Sequence, residues 1–207
     1  MSINSTNWSS GAGMFTLTGG TLNLGGGWNT TGGIGTWSNS GAAVNVTGTV
    51  TNTGNNIPLS PSTTGSWSLS GGTINGGSMT LSGGAQFTTT ASGGTLDNVD
   101  INGDVNFNTV FASANVAGAT RFDAARLAAD QASINFTNGF TLQDEVSAEG
   151  AAAGTRSIRS NGAGTSTVGA TGVIRLASGS GGNLSIDNLF GPFTLVSNGL
   201  VSAEAAG

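Results

Sequence analysis

Apolar residues along this chain come in short alternations with small polar ones: Phe15 and Leu17, Leu22 and Leu24, Val44 and Val46, Trp67 and Leu69, Met79 and Leu81. A period of two over runs this short, bounded by glycine, predicts strands rather than helices. Thr, Ser and Asn fill the alternate positions. The stretch TLTGGTLNLGG from Thr16 reads as two such strands with their corners, with Phe15, Leu17, Leu22 and Leu24 as the inward stripe. The phrase returns as SLSGGTI from Ser68, TLSGGAQF from Thr80 and ASGGTL from Ala91.

The spacing of these phrases narrows the architecture. GGT falls at Gly19, Gly71 and Gly93, about 52 and about 22 residues apart, within the range of repeat proteins. A β-sandwich shows turn signals every ~8–12 residues with no recurring phrase, and a propeller needs blades of ~40–45 residues with one signature each. Short strands with Gly or Asn corners, stacked coil upon coil around a narrow aliphatic stripe, fit better. The predicted fold is all-β: a single-chain parallel β-solenoid with irregular coils of about 20–26 residues.

The later sequence keeps the idiom. In TLDNVDINGDVNFN the inward positions are Leu96, Val99, Ile101, Val105 and Phe107, with Asn102 and Gly103 at the corner. SINFTNGFTL repeats it with Ile134, Phe136, Phe140 and Leu142, and NLSIDNLFGPFTLVSNGLV repeats it again. TRFDAARLAADQA, from Thr120, departs from it. Its Phe122, Ala125, Leu127 and Ala128 stand near a helical period, so a short helix near 121–131 competes with one more coil having small inward residues.

Charge divides the chain into two regions. No Asp, Glu, Lys or Arg precedes Asp97, and all four tryptophans, Trp8, Trp28, Trp37 and Trp67, lie before it. We therefore read 1–96 as uncharged solenoid coils and 97–207 as a continuation that carries every charge. Only 7% of the 207 residues are charged and 36% are hydrophobic, with 37 glycines, so burial is available in small portions. Cys, His, Tyr and Lys are absent, which removes disulfides, thiolate metal sites, the usual proton shuttle and the Schiff-base amine. A net charge of −5 with five scattered arginines argues against nucleic acid as a partner. No apolar run approaches the ~20 residues of a membrane-spanning helix, and MSINSTNWSS has neither the basic nor the apolar region of a signal peptide. The strand-like GLVSAEAAG at the other end makes an excised segment or mature chain the expectation.

GAGMFTLTGGTLNLGG, from Gly11, and WSLSGGTINGGSMTLSGG, from Trp67, resemble the glycine-rich repeats of autotransporter passenger domains and related large bacterial surface proteins. The resemblance covers patches of roughly the first 110 residues. It implies a right-handed parallel β-helix exported to the cell surface, with a signal peptide before such a passenger and a membrane β-barrel after it. It implies no catalytic residues.

Four clusters offer candidate chemistry. Asp97, Asp100, Asn102 and Asp104 form a weak Ca²⁺ candidate, since calcium takes six to eight oxygens, but Val105 and Phe111 stand where an EF-hand loop needs glycine and a bidentate acid. The same acids with Arg121, roughly one coil later, sketch the acid-plus-base arrangement of β-helix polysaccharide lyases. Thr47, Thr49, Thr51 and Thr53 place four threonines on one strand face, the element of a flat ice-binding array, with Thr16/Thr18 and Thr88/Thr90 as the nearest echoes; ordinary β-propensity explains them equally. Trp8, Trp28, Trp37 and Trp67, each flanked by Ser, Asn, Thr or Gly, are candidates for glycan contact from exposed loops or for burial at an end cap or subunit interface. The Asn-x-Ser/Thr motifs at Asn4, Asn7, Asn29, Asn45, Asn135 and Asn183 are no more frequent than this composition makes by chance.

The functional expectation is a non-enzymatic extracellular structural protein, a solenoid that forms or belongs to a bacterial cell-surface fibre and takes copies of itself as partners. The alternatives are a glycan-binding adhesin that meets cell-surface polysaccharide through its tryptophans, and, as a third class, a polysaccharide lyase. No cofactor is expected beyond the possible calcium.

Overall fold

The computed structural model describes residues 1–137, 139–189 and 192–204. Among them there is no helix: 27 strands follow one another, and every pairing between them is parallel. The chain visits three faces in strict rotation, making about eight turns of a β-solenoid.

The first face has ten strands, from Ser2–Ile3 through Thr21–Leu24 and Ala43–Val46 to Val173–Leu176 and Leu200–Ala203. The second has eight, from Gly27–Asn29 to Asn183–Asn188. The third is broken into three sheets: Gly11–Leu17 with Ile34–Asn39, then four strands from Asn56–Leu59 to Arg121–Phe122, then Thr141–Leu142, Gly164–Val168 and Phe193–Ser197. At ~4.8 Å between neighbouring strands, ten rungs make a rod roughly 45 Å long.

Register explains the alternation seen in sequence. Each coil lays its inward residues on those of the coil before, as in Leu22 on Val44 and Leu24 on Val46. Val44 then lies beside Trp67, Trp67 beside Phe87 and Phe87 beside Val105. These side chains are 0–1% exposed. All nine inward positions read from the two stretches after Thr95, Leu96 to Phe107 and Ile134 to Leu142, are buried. Phe15 and Leu17 are only half-buried, because their strand edges the third face at the N-terminal end. Asn138 in SINFTNGFTL, Phe190 and Gly191 in NLSIDNLFGPFTLVSNGLV, and the last three residues of GLVSAEAAG lie outside the described residues.

Two expectations change. Coil length is more variable than 20–26: Phe87 and its partner Val105 are 18 residues apart, Val146 and Ile174 are 28. The variation lies in corners and strands alike: the corner between the third and first faces is Asp123 alone in one turn and 60–66 in another, and the longest turn has the strands Thr155–Asn161 and Gly164–Val168 where the shortest has Thr95–Asp97 and Asp100–Asn102. The segment from Thr120 is a coil and not a helix, with strands Arg121–Phe122 and Ala124–Leu127. Its near-helical spacing arises because Asp123 turns a corner between two faces, so Phe122 and Ala125 both point inward from different strands.

Corners are tight. Gly77 has φ +68°, and a Cβ there would lie 2.1 Å from the Asn52 carbonyl oxygen. Asn52 is itself fully buried: its amide donates to the Asn55 and Ser78 carbonyls at 3.2 and 3.0 Å and its Oδ1 accepts from Thr30 at 2.8 Å. Buried polar groups at the corners are thus satisfied by the neighbouring coil, as burial requires.

Candidate functional site

The tryptophans are brought together inside the rod. Trp28, Trp37 and Trp67 are 1%, 5% and 0% exposed and lie with ring centroids 5.5–6.3 Å apart. This corrects the expectation of exposed loops, since three of the four rings present no face to a glycan and none to a second subunit. Their strand periods point them inward, where Trp37 and Trp67 donate to the Ile34 and Thr64 carbonyls at 2.8 and 3.1 Å. Trp8 alone stays half-buried. It stacks on Trp28 at 4.9 Å with the two ring planes nearly parallel, and donates to the Gly25 carbonyl at 3.1 Å, closing part of the N-terminal end.

The acidic cluster is dispersed. Asp97 ends a second-face strand, Asp100 and Asn102 lie on the third face, and Asp104 precedes a first-face strand. Four residues close in sequence are therefore spread over three faces and the two corners between them. Asp97 accepts hydrogen bonds from Asn75 and Asn98 at 3.2 and 2.8 Å, while Asp104 accepts one from Arg126 at 2.5 Å. Among the described residues no three acidic side chains gather as a metal site would need. Arg121 stands in register with Asp100 on the next coil of the third face, but its hydrogen bonds go elsewhere. It is clamped by Asp144 of the following turn at 2.7–3.0 Å, and this hydrogen bond raises its pKa above the ordinary guanidinium value.

The threonines are likewise redistributed. Thr49–Thr51 is a three-residue strand, with Thr47 and Thr53 in the corners beside it. Thr16 lies on the third face and Thr88 on the first, so neither extends the second-face plane. The residues in register with Thr49 are Thr73 and Thr95, a column that only the coil lengths reveal.

What the structure adds is a set of polar ladders along the axis. On the outer side of the first face, Asn45 donates to Asn23 at 3.0 Å, Asn23 to Ser2 at 3.2 Å, and Ser68 and Thr88 share a bond of 2.8 Å. From Asp104 onward the same face carries ions. Arg126 bridges Asp104 and Glu149, and Arg175 bridges Glu145 and Glu204, each spanning adjacent turns. Asp104, followed by Glu149, also raises the Arg126 pKa. These half-exposed pairs add little stability individually. Arg156 differs: it is fully buried and donates to the carbonyls of Glu149 at 2.9 Å and of Ala128, Gly150 and Gly154 at 3.3 Å, tying down the corner at 149–154.

The two ends differ from the flanks. At the C-terminal end Leu189, Leu195, Val196, Leu200 and Val201 are 37–54% exposed, and at the other end Met14 is exposed while Ile3, Trp8 and Phe15 are half-buried. Strands Leu200–Ala203, Asn183–Asn188 and Phe193–Ser197 each have a partner on one side only, as do Ser2–Ile3 and Gly11–Leu17. No helix is long and apolar enough to cross a membrane among the described residues.

No protein-family model matches the chain, and neither the curated proteins nor the solved structures contain a match to it. Its description therefore rests on its own geometry: the chain is a β-solenoid of stacked parallel coils, the architecture of repeat β-helix proteins.

Proposed function

We propose that this is a non-enzymatic extracellular structural protein, a β-solenoid that forms or belongs to a cell-surface fibre through packing between subunits. One observation carries the reading. Among the described residues, seven of the nine exposed large apolar side chains lie at the two ends of the rod, with Val110 and Phe111 at a corner between them, whereas the outer side of the first face is tiled with bonded Ser, Thr, Asn and ion-pair ladders. Parallel coils propagate by nearest-neighbour contact, so an end that is one strand short of partners is a template for another coil. The likeness of the glycine-rich phrases to repeats of bacterial surface proteins supports the extracellular assignment, and autotransporter export is its finer form.

Electron microscopy of purified protein over a concentration series tests the proposal. Filaments or end-to-end oligomers about one coil in width are expected. A strictly monomeric particle at the highest concentration overturns it.

A further inference from the structure

We infer that the core beside strands Thr155–Asn161 and Gly164–Val168 holds a binding site for a small neutral molecule of the short-chain alcohol class, with an apolar body and one hydroxyl. The site lies inside the rod and is independent of the fibre reading.

Inward positions stay filled from coil to coil along much of the axis, as in Val44, Trp67, Phe87 and Val105. At this turn two neighbouring columns shrink at once. Phe136 and Phe140, both buried, stack with ring centroids 4.4 Å apart. The residue in register with Phe136 is Ser160, and the one that follows Phe140, just before the Thr141–Thr167 pair, is Ser166. Two rings are thus succeeded by two hydroxymethyl groups. The space left is a cavity of about 30 Å³, walled by Phe136, Phe140, Ile158 and Ile174 and, from the turn beyond, by Ile186 and Phe193. Successive turns of the chain supply these walls, so the site needs no free end of the rod.

The wall carries one open polar group. Ser160 donates to the Gly162 carbonyl at 3.0 Å and is satisfied. Ser166 is 8% exposed, and its Oγ is the one buried side-chain polar atom of the wall left without a partner among the described residues. A buried water wants two to four polar partners, which a single hydroxyl among apolar side chains does not offer. An alcohol suits both parts of the site: its hydroxyl pairs with Ser166 Oγ while its alkyl group lies against the phenylalanine rings. One water takes about 10–15 Å³ of such space, so there is room for two or three groups of that size, which ethanol matches. Ions are disfavoured, because Arg159 on the wall is already paired with Asp187 at 3.3 Å and a charged ligand would be buried without a counter-ion.

Methyl NMR of isoleucine-labelled protein titrated with ethanol tests the site. The Ile158 and Ile174 signals are expected to shift saturably, with a Kd of about a millimolar at best, the limit for so few atoms. Ile57 and Ile74, in the core of earlier turns, should drift only weakly and linearly. Ser166→Ala keeps the space and removes the hydroxyl, so ethanol should bind roughly tenfold more weakly, while xenon, which needs no hydrogen bond, should shift Ile158 and Ile174 alike in both proteins. An ethanol response no different from that of Ile57 and Ile74, or one that Ser166→Ala leaves unchanged, overturns the proposal. A cavity that answers to xenon but not to ethanol is a dry void, and overturns it too.

Discussion

Replacing Thr89 with valine should stabilise the protein, against the ordinary direction of core substitutions. Thr89 lies inward on the first face in register with Leu69, is 0% exposed, and its Oγ1 has no hydrogen-bond partner. A buried polar group left unsatisfied costs about 1–3 kcal/mol, and the methyl that replaces it adds roughly 0.8 kcal/mol of burial. The shape is nearly unchanged and valine is at least as favourable in a strand. Set against small packing adjustments, the net gain for Thr89→Val should be about 1–2 kcal/mol. Urea unfolding followed by fluorescence of the stacked tryptophans reads it as a higher midpoint at unchanged slope. Thr88→Val, one residue on, is the internal control: that hydroxyl faces outward and shares a 2.8 Å bond with Ser68, so its loss should lower stability by about 0.5–1.5 kcal/mol. If Thr89→Val lowers the midpoint as Thr88→Val does, the hydroxyl has a partner, such as a buried water, and the argument from its isolation fails.

Two further outcomes test the corners. Arg156→Met keeps the bulk but strands the carbonyls of Ala128 and Glu149, and should cost about 3 kcal/mol, with faster amide exchange confined at first to 149–154; unchanged exchange there would show that the corner holds without the guanidinium. Gly77→Ala combines a left-handed backbone, worth about 1–2 kcal/mol, with the collision at the Asn52 oxygen, and should cost more than that strain alone. A loss below about 0.5 kcal/mol in thermal melting would mean that this corner relaxes freely.

The inward stripe and the strand-and-corner rhythm were legible in sequence because burial in a solenoid is decided locally. A side chain at every second position of a short strand faces the axis whatever coil lies beside it, so Leu22, Val44, Ile101 and Phe136 could be named in advance. That the tryptophans do not stand on exposed loops follows from the same rule. Trp28, Trp37 and Trp67 sit among Ser, Asn, Thr and Gly, which here are the outward strand positions and corners rather than loops. Alternation carried their burial; flanking composition concealed it.

Which residues become neighbours across coils was decided by the tertiary structure alone. The partner of Arg126 is Asp104 and that of Arg121 is Asp144, 22 and 23 residues away. Coil length varies, so no fixed period predicts such a pair. Turns of 18 and 28 residues lay the same face in register, so chain distance alone does not give the pair, and the acids of 97–104, close together in the chain, are parted by the two corners between their three faces. The sequence by itself determined an all-β chain of short strands with a buried aliphatic stripe and charge confined to the residues from Asp97 on. Only the stacked structure decided the columns, because register is a property of two coils at once, and with it the buried Arg156, the isolated Thr89 hydroxyl, and the two serines set against the stacked Phe136 and Phe140.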